Sequence, residues 1–154
     1  MPSSLPSDVV ADERLRLIVD SYRRLTGKPL LDGVPPENEE ELRRALWQAP
    51  FAIVAHGTED DPVFFYGNRY ALRCFEMSFE EFARLPSRFS AEPLAREARA
   101  ALLARVAQRG YVDDYSGMRI AKSGKRFMIA GTVWNLVDEQ GVRHGQAAAF
   151  TATT

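Results

Sequence analysis

The order of apolar and helical blocks restricts the fold of this chain more than any single residue does. Two short β-rich runs, Phe51–Ala55 and Val63–Tyr66, come first, and a capped helical stretch follows from Asn68 to about Arg109. Three β-like runs then lie near 111–121, 126–137 and 142–150. Two strands, a helical crossover and a three-stranded meander predict one α/β (α+β) domain with a five-stranded, mainly antiparallel sheet. The polar loop His56–Asp61 makes a hairpin of the first two runs. Phe51–Ala55 is apolar on both faces, so its pattern leaves open which face points inward.

Local signals punctuate these blocks. Asp8 can cap a helix to about Thr26, with Leu15, Ile18, Val19, Tyr22 and Leu25 at helical spacing and Arg14, Arg16, Arg23 and Arg24 on the other side. Gly27 and Pro29 stop it. Gly33, Pro35 and Pro36 mark a turn or linker, and a second short helix from about Glu39 aligns Leu42, Ala45 and Leu46 before Pro50. These segments predict a helical extension over 1–49 ahead of the domain at 50–154. Asn68 is placed to cap a short helix, and Ser78-Phe79-Glu80-Glu81 has the form of a capping box for a helix through Leu85. Ser90 is placed to cap the longest helix, whose buried stripe reads Leu94, Ala98, Leu102, Val106. Glu92 in its first turn, Arg105 and Arg109 in its last and Gly110 beyond suit the helix dipole. Ser123-Gly124 and Gly141 read as the turns of the meander. Both alternating sets of 126–137 contain apolar residues, which predicts a sheet covered on both faces.

Composition excludes several classes. At 154 residues with a formal net charge of −1, the chain has the size of one domain and no basic footprint for nucleic acid or anionic membrane. No apolar run approaches the ~18 residues of a spanning helix, and Met1–Ser7 lacks a signal-peptide core, so a cytoplasmic location is expected. The single cysteine, Cys74, excludes an internal disulfide and a thiolate metal cluster. His56 and His144, the two histidines, lack the spacing of a helical metal pair, and no metal site is expected.

Several phrases within residues 50–150 resemble the MEKHLA family, a branch of the PAS-like domains. They are His56-Gly57 with Asp61-Pro62, Tyr66-x-Asn68, Pro86-Ser87-Arg88, Ala91-Glu92-Pro93, Tyr115-Ser116-Gly117 with Arg119, and Gly145-Gln146-Ala147-Ala148. Tyr22-Arg23-Arg24-Leu25-Thr26-Gly27 also resembles the lead-in helix of bacterial members. The six letters that name the family do not occur here. The resemblance implies a PAS-like fold with a regulatory or ligand-sensing role. A second one concerns the flavin-binding light sensors of the PAS class, the LOV domains. Pro86-Ser87-Arg88-Phe89 sits where they carry Asn-Cys-Arg-Phe, and Lys122-Ser123-Gly124-Lys125-Arg126-Phe127 is similar to their hairpin. Their photochemistry needs a cysteine thiol where this chain has Ser87, and Ile129 and Ala147 fall near their flavin-holding amides. That argues against flavin. Haem is argued against as well, because residues 94–109 contain no axial histidine. The cofactor, if any, stays unassigned.

Most polar candidates have a plain structural reading. His56, Asp60 and Asp61 could form an acid–base or metal cluster, but a turn whose carboxylates accept backbone N–H groups explains them. Asp113, Asp114, Tyr115 and Ser116 could line an active site, or be strand-edge residues with polar tips. Ser87 lacks the elbow motif of a nucleophile. Arg96 and Arg99 read as a solvated helix face, and Arg119 as a structural ion pair rather than a clamp for an anion. The residues set down as ligand-binding are Phe51, Ile53, Phe65, Asn68, Tyr70, Ser87, Arg119, Phe127 and Trp134, with no catalytic residue among them.

The stripe of the N-terminal helix must be covered either by its own sheet or by another subunit, and a homodimer through this helix is expected. The leading function is a stand-alone sensory module that binds a small molecule or a protein partner. A ligand between sheet and crossover would alter how residues 8–46 dock. The alternative is a small cone-like α+β enzyme using Asp113 or Asp114 for proton transfer. A third reading is a scaffold with a filled core.

Overall fold

A computed structural model describes residues 14–31, 38–91 and 93–153. The proposed Asp8 cap, the turn at 33–36 and Glu92 lie outside them, as do the side chains of Leu94, Arg96 and Arg99. Helices α1 (Arg14–Thr26) and α2 (Glu39–Gln48) lead into strands β1 (Ala52–His56) and β2 (Phe64–Gly67). The crossover comprises α3 (Arg69–Phe75), α4 (Phe79–Phe82), a 3₁₀ turn (Ser87–Ser90) and α5 (Pro93–Arg109). Strands β3 (Tyr111–Ile120), β4 (Arg126–Val137) and β5 (Arg143–Thr153) form the meander. The sheet order is β2-β1-β5-β4-β3, and every pairing is antiparallel. This is the expected five-stranded sheet.

Asn68 caps α3 through its side-chain oxygen, and Ser78 with Glu81 closes the full capping box of α4, both as expected; Asn38, which the sequence reading did not single out, caps α2 in the same way. However, α4 ends at Phe82 rather than Leu85, because the chain turns at Ala83 to bring Val63 and Pro86 into a bridge. Ser90 does not cap α5 from the position before it. Its hydroxyl closes the preceding 3₁₀ turn by donating to the Ser87 carbonyl at 2.7 Å. In α5 the stripe is buried at Leu102 and Val106, whereas Ala98 is exposed.

Each strand sends alternate side chains to two faces, and both faces are covered, unequally. On the inner face Val54, Phe127, Ile129 and Phe150 pack with Phe75 and Phe82 of the crossover. On the outer face Ile53, Trp134, Leu136 and Ala147 pack with Leu15, Ile18 and Val19 of α1 and Leu42 and Leu46 of α2. The stripe of α1 is thus covered by its own sheet. Trp134 donates its indole N–H to the Ile18 carbonyl at 3.1 Å and meets Tyr22 edge-on. Ser21, fully buried, donates to the Val137 carbonyl at 3.0 Å and accepts from the Val137 N–H at 2.8 Å. Among the described residues, α1 and α2 therefore contribute side chains to the core. Cover ends partway along β4: 133–136 are buried on both faces, while Arg126, Met128 and Ala130 alternate outward to solvent.

Asn68 joins the layers. Its Oδ1 accepts from the N–H groups of Ile53 at 3.0 Å and Ala71 at 3.1 Å. Its Nδ2 donates to the carbonyls of Leu46 at 3.0 Å and Phe51 at 2.9 Å. The amide is fully buried, and these four bonds tie together α2, β1 and α3.

Two predictions follow from this architecture. Asn68→Ala strands two buried N–H groups and two carbonyls, and should cost about 2–4 kcal/mol, read as a lower urea midpoint at unchanged slope. Asn68→Asp keeps the acceptor but aims a carboxylate at two carbonyls, so it should be no milder. In the β4–β5 turn, Asp138 accepts from His144 at 2.8 Å and from the N–H groups of Gln140 and Val142. The His144 hydrogen bond, helped by these backbone donors, holds the Asp138 carboxyl below its ordinary value of 3.8. A depressed folded-state value gives stability that is present above the ordinary value and lost as pH falls through the folded one. Asp138→Asn should therefore flatten the fall of the melting temperature on acidification below about pH 4.5.

Candidate ligand cavity

A cavity of about 50 Å³ lies between the inner face of the sheet and the crossover. Its apolar wall comes from Val54, Phe64, Ile129, Val133 and Phe150 on the strands and from Phe75 and Leu102 on the helices. Among the described residues five polar side chains interrupt that wall: His56, Ser90, Tyr115, Arg119 and Gln146. The core is therefore not filled.

Strand alternation places each of these. In the β3–β4 register Tyr115 opposes Gly131 and Arg119 opposes Phe127, so both point inward from the edge strand. His56 opposes Gln146 across β1 and β5. Gly145, just before Gln146, has φ +148°, and a Cβ there would meet the His56 carbonyl at 2.1 Å. Only glycine allows the two strands to close there. His56 Nδ1 lies 2.9 Å from the Gly57 carbonyl, which fixes the proton on that nitrogen. Gln146 donates to Asn135 Oδ1 at 3.1 Å, and its own Oε1 is buried without a partner among the described residues. Asn135 in turn donates to the Val106 carbonyl at 3.2 Å, satisfying the last turn of α5.

Arg119 is the charged member. It is 7% exposed, donates to the Met118 carbonyl at 2.8 Å, and donates through Nη2 to the Tyr115 hydroxyl. Among the described residues no carboxylate pairs with it, which corrects its reading as a structural ion pair. Burial pushes its guanidinium below the usual range, with Tyr115 opposing. Arginine nevertheless stays cationic at neutral pH.

Of the nine residues expected to bind a ligand, Arg119 alone lines this cavity. Phe127 lies on the same inner face but packs edge-on against Phe75. Ile53 and Trp134 belong to the outer core, with Phe51 and Phe65 packed against it. The guanidinium of Arg14 sits 3.7 Å over the Phe65 ring. Asn68 is spent on its four structural bonds. The Tyr70 hydroxyl accepts from the Ala152 N–H at 3.3 Å. Ser87 is buried in the 3₁₀ turn, and its hydroxyl has no partner among the described residues. His56, Ser90, Tyr115 and Gln146, which the sequence pattern does not single out as ligand-binding, become visible once the strand register is known, since each shares the inward alternation or the turn that faces it.

Other candidate chemistry falls away from the cavity. Asp113 and Asp114 lie at the bulge of β3, exposed, with Asp114 3.8 Å from Arg105. They are not part of its wall, which leaves the acid–base alternative without its carboxylates. Asp61 pairs with Arg88 at 3.0 Å, and Glu59 accepts from the Val63 N–H at 3.3 Å, so this loop uses its acids structurally. Cys74 is half-buried, and burial pushes its thiol up, against Lys125, so it makes a poor nucleophile. Among the described residues no group of three or more His, Cys, Asp or Glu is arranged to hold a metal ion, and no helix is long and apolar enough to cross a membrane. A flavin does not fit. Ser87 replaces the thiol, Ile129 offers no amide, and the cavity is far below the ~300 Å³ at which pockets for larger ligands begin.

Comparison with known proteins places this geometry. A family model described as the MEKHLA domain matches residues 12–154. A PAS domain from Colwellia psychrerythraea superposes with a TM-score of 0.66 at 16% identity, covering 75% of this chain and 96% of that one. A light-oxygen-voltage domain superposes with a TM-score of 0.60 at 18% identity, covering 74% and 85%. A PAS domain from a two-component sensor histidine kinase gives 0.55 at 18%, covering 70% and 88%. These structures share the fold with this chain. No curated protein matches it in sequence.

Leu102 should be the sensitive wall residue. It is one of two α5 side chains in the small cluster with Val112 and Val133. Leu102→Ala should cost about 2–4 kcal/mol in urea unfolding, by lost burial and by enlarging an existing cavity.

Proposed function

Because the chain belongs to the MEKHLA family, whose fold here is PAS-like, we propose that it is a sensory or regulatory module that holds a small molecule in the inner-face cavity. Its output is the docking of α1. The observation that carries this reading is a pair of consecutive residues. Val133 lines the cavity, and Trp134, next in the strand, donates to the Ile18 carbonyl of α1 on the opposite face. Ala147 and Ala148 of β5 repeat the arrangement, one packed against the α1 side and the other turned to the inner core.

A ligand acts only by binding one docking state better than the other. A ligand that shifts β4 within the inner layer displaces Trp134 and Leu136, and with them the seat of Leu15, Ile18 and Val19. In the undocked state those three side chains become available to a second copy, which gives dimerisation through the N-terminal helix as the signalling step. In the docked state they are buried.

Native mass spectrometry on protein purified from its own host, before and after denaturation, tests the reading. A bound species released on denaturation supports it. Its addition to ligand-free Trp47→Phe protein, which leaves Trp134 as the single tryptophan, should then shift the emission as α1 undocks. A chain that carries nothing and whose Trp134 emission no candidate ligand moves would leave a scaffold as the better account.

A further inference from the structure

Resting on the cavity reading above, we propose that the Arg119 end of the cavity is a carboxylate site and that the ligand is a small monocarboxylate of about two to four carbons. The argument begins with charge. A buried cation without a counter-ion is costly, and a methionine would fill the same place more cheaply. Arg119 is 7% exposed, and its partners among the described residues are one backbone carbonyl and one tyrosine hydroxyl. Two neutral acceptors occupy a group with five N–H donors.

The surroundings are arranged for an anion. Because Arg119 donates to the Tyr115 oxygen, the tyrosine proton is directed away and can be donated in turn. Gly117, between them in the strand, leaves the space they use. A Cβ there would meet the Tyr115 hydroxyl at 2.6 Å and Arg119 Nη1 at 3.4 Å. A carboxylate at this point would receive guanidinium N–H groups and the phenol O–H together. Next to it the wall is apolar, formed by Phe75, Ile129 and Phe150, which suits a short hydrocarbon tail.

Size sets the class. A cavity of about 50 Å³ admits roughly three or four water-sized centres, enough for a few heavy atoms and too few for a ring system. His56 and Gln146 line the same cavity farther along the sheet, with Gln146 opposite Asn135 of β4 where Arg119 is opposite Phe127.

Titration calorimetry on the full chain with sodium butyrate, butyramide and 1-butanol separates the possibilities, using wild type, Arg119→Met and Tyr115→Phe. Butyrate should bind saturably and about tenfold or more tightly than its two neutral analogues. Arg119→Met should abolish that preference while retaining 1-butanol binding, and Tyr115→Phe should weaken butyrate alone. If 1-butanol binds wild type as well as butyrate does, or Arg119→Met keeps the preference, the carboxylate site is overturned and the cavity reading stands. If none of the three binds wild type, the carboxylate site is overturned, and the species retained in native mass spectrometry decides the cavity reading separately. Should Arg119→Met fail to fold, the wild-type ranking and Tyr115→Phe decide the matter.

Discussion

The buried amide of Asn68 is the interaction on which the rest of this molecule depends. An asparagine can accept and donate in one plane, and this one does both twice, toward α2 and the start of β1, which are distant in sequence, and toward α3, the helix it caps. The Asn68 backbone adds a ladder bond from its N–H to the Ile53 carbonyl at 3.0 Å, and its carbonyl accepts the first helical bond of α3 from Leu72. One residue therefore ends β2, starts α3, and sets the height of α2 against β1. The crossover can lie over the inner face only if α3 leaves the sheet at this angle. The cavity is the space left beneath that crossover, so its existence follows from the direction that Asn68 imposes.

The sheet then serves as a wall between two environments. The inner layer is aromatic, built on Phe64 stacked on Phe82 at 4.2 Å and Phe75 edge-on to Phe127. The outer layer is mainly aliphatic and is closed by α1, which is held by hydrogen bonds as well as burial. Alternate residues of one strand serve both layers, so the two layers share the backbone of β4 and β5.

Much of this was legible in the chain. Period and punctuation located the strands to within three residues, because Gly110, Gly124 and Gly141 occupy turns where φ is positive. Asn68 and Ser78 announced their helices because capping is local chemistry. The site was much less legible. Aromatic residues such as Phe51, Phe65 and Trp134 were natural pocket candidates, yet they lie in or beside the outer core. Which face a strand residue takes depends on register, and register is set by partners far away in sequence, such as Gly131 against Tyr115. The bulge between Val112 and Tyr115 made this harder, since it resets the alternation of β3. Ser90 misled for a related reason. A 3₁₀ turn and an α-helix N-terminus favour the same small hydroxyl residue.

The seat of α1 has a further consequence. Val137, at the end of β4, gives its backbone N–H to the hydroxyl of Ser21 rather than to a neighbouring strand. Protection of that single amide from exchange with deuterated solvent therefore belongs to the helix and not to the sheet. Residues deeper in β4 exchange only when the sheet itself opens, whereas Val137 exchanges whenever α1 lifts. The ratio of the two rates is a thermometer of helix docking written into one peptide bond, readable without any label attached to the protein.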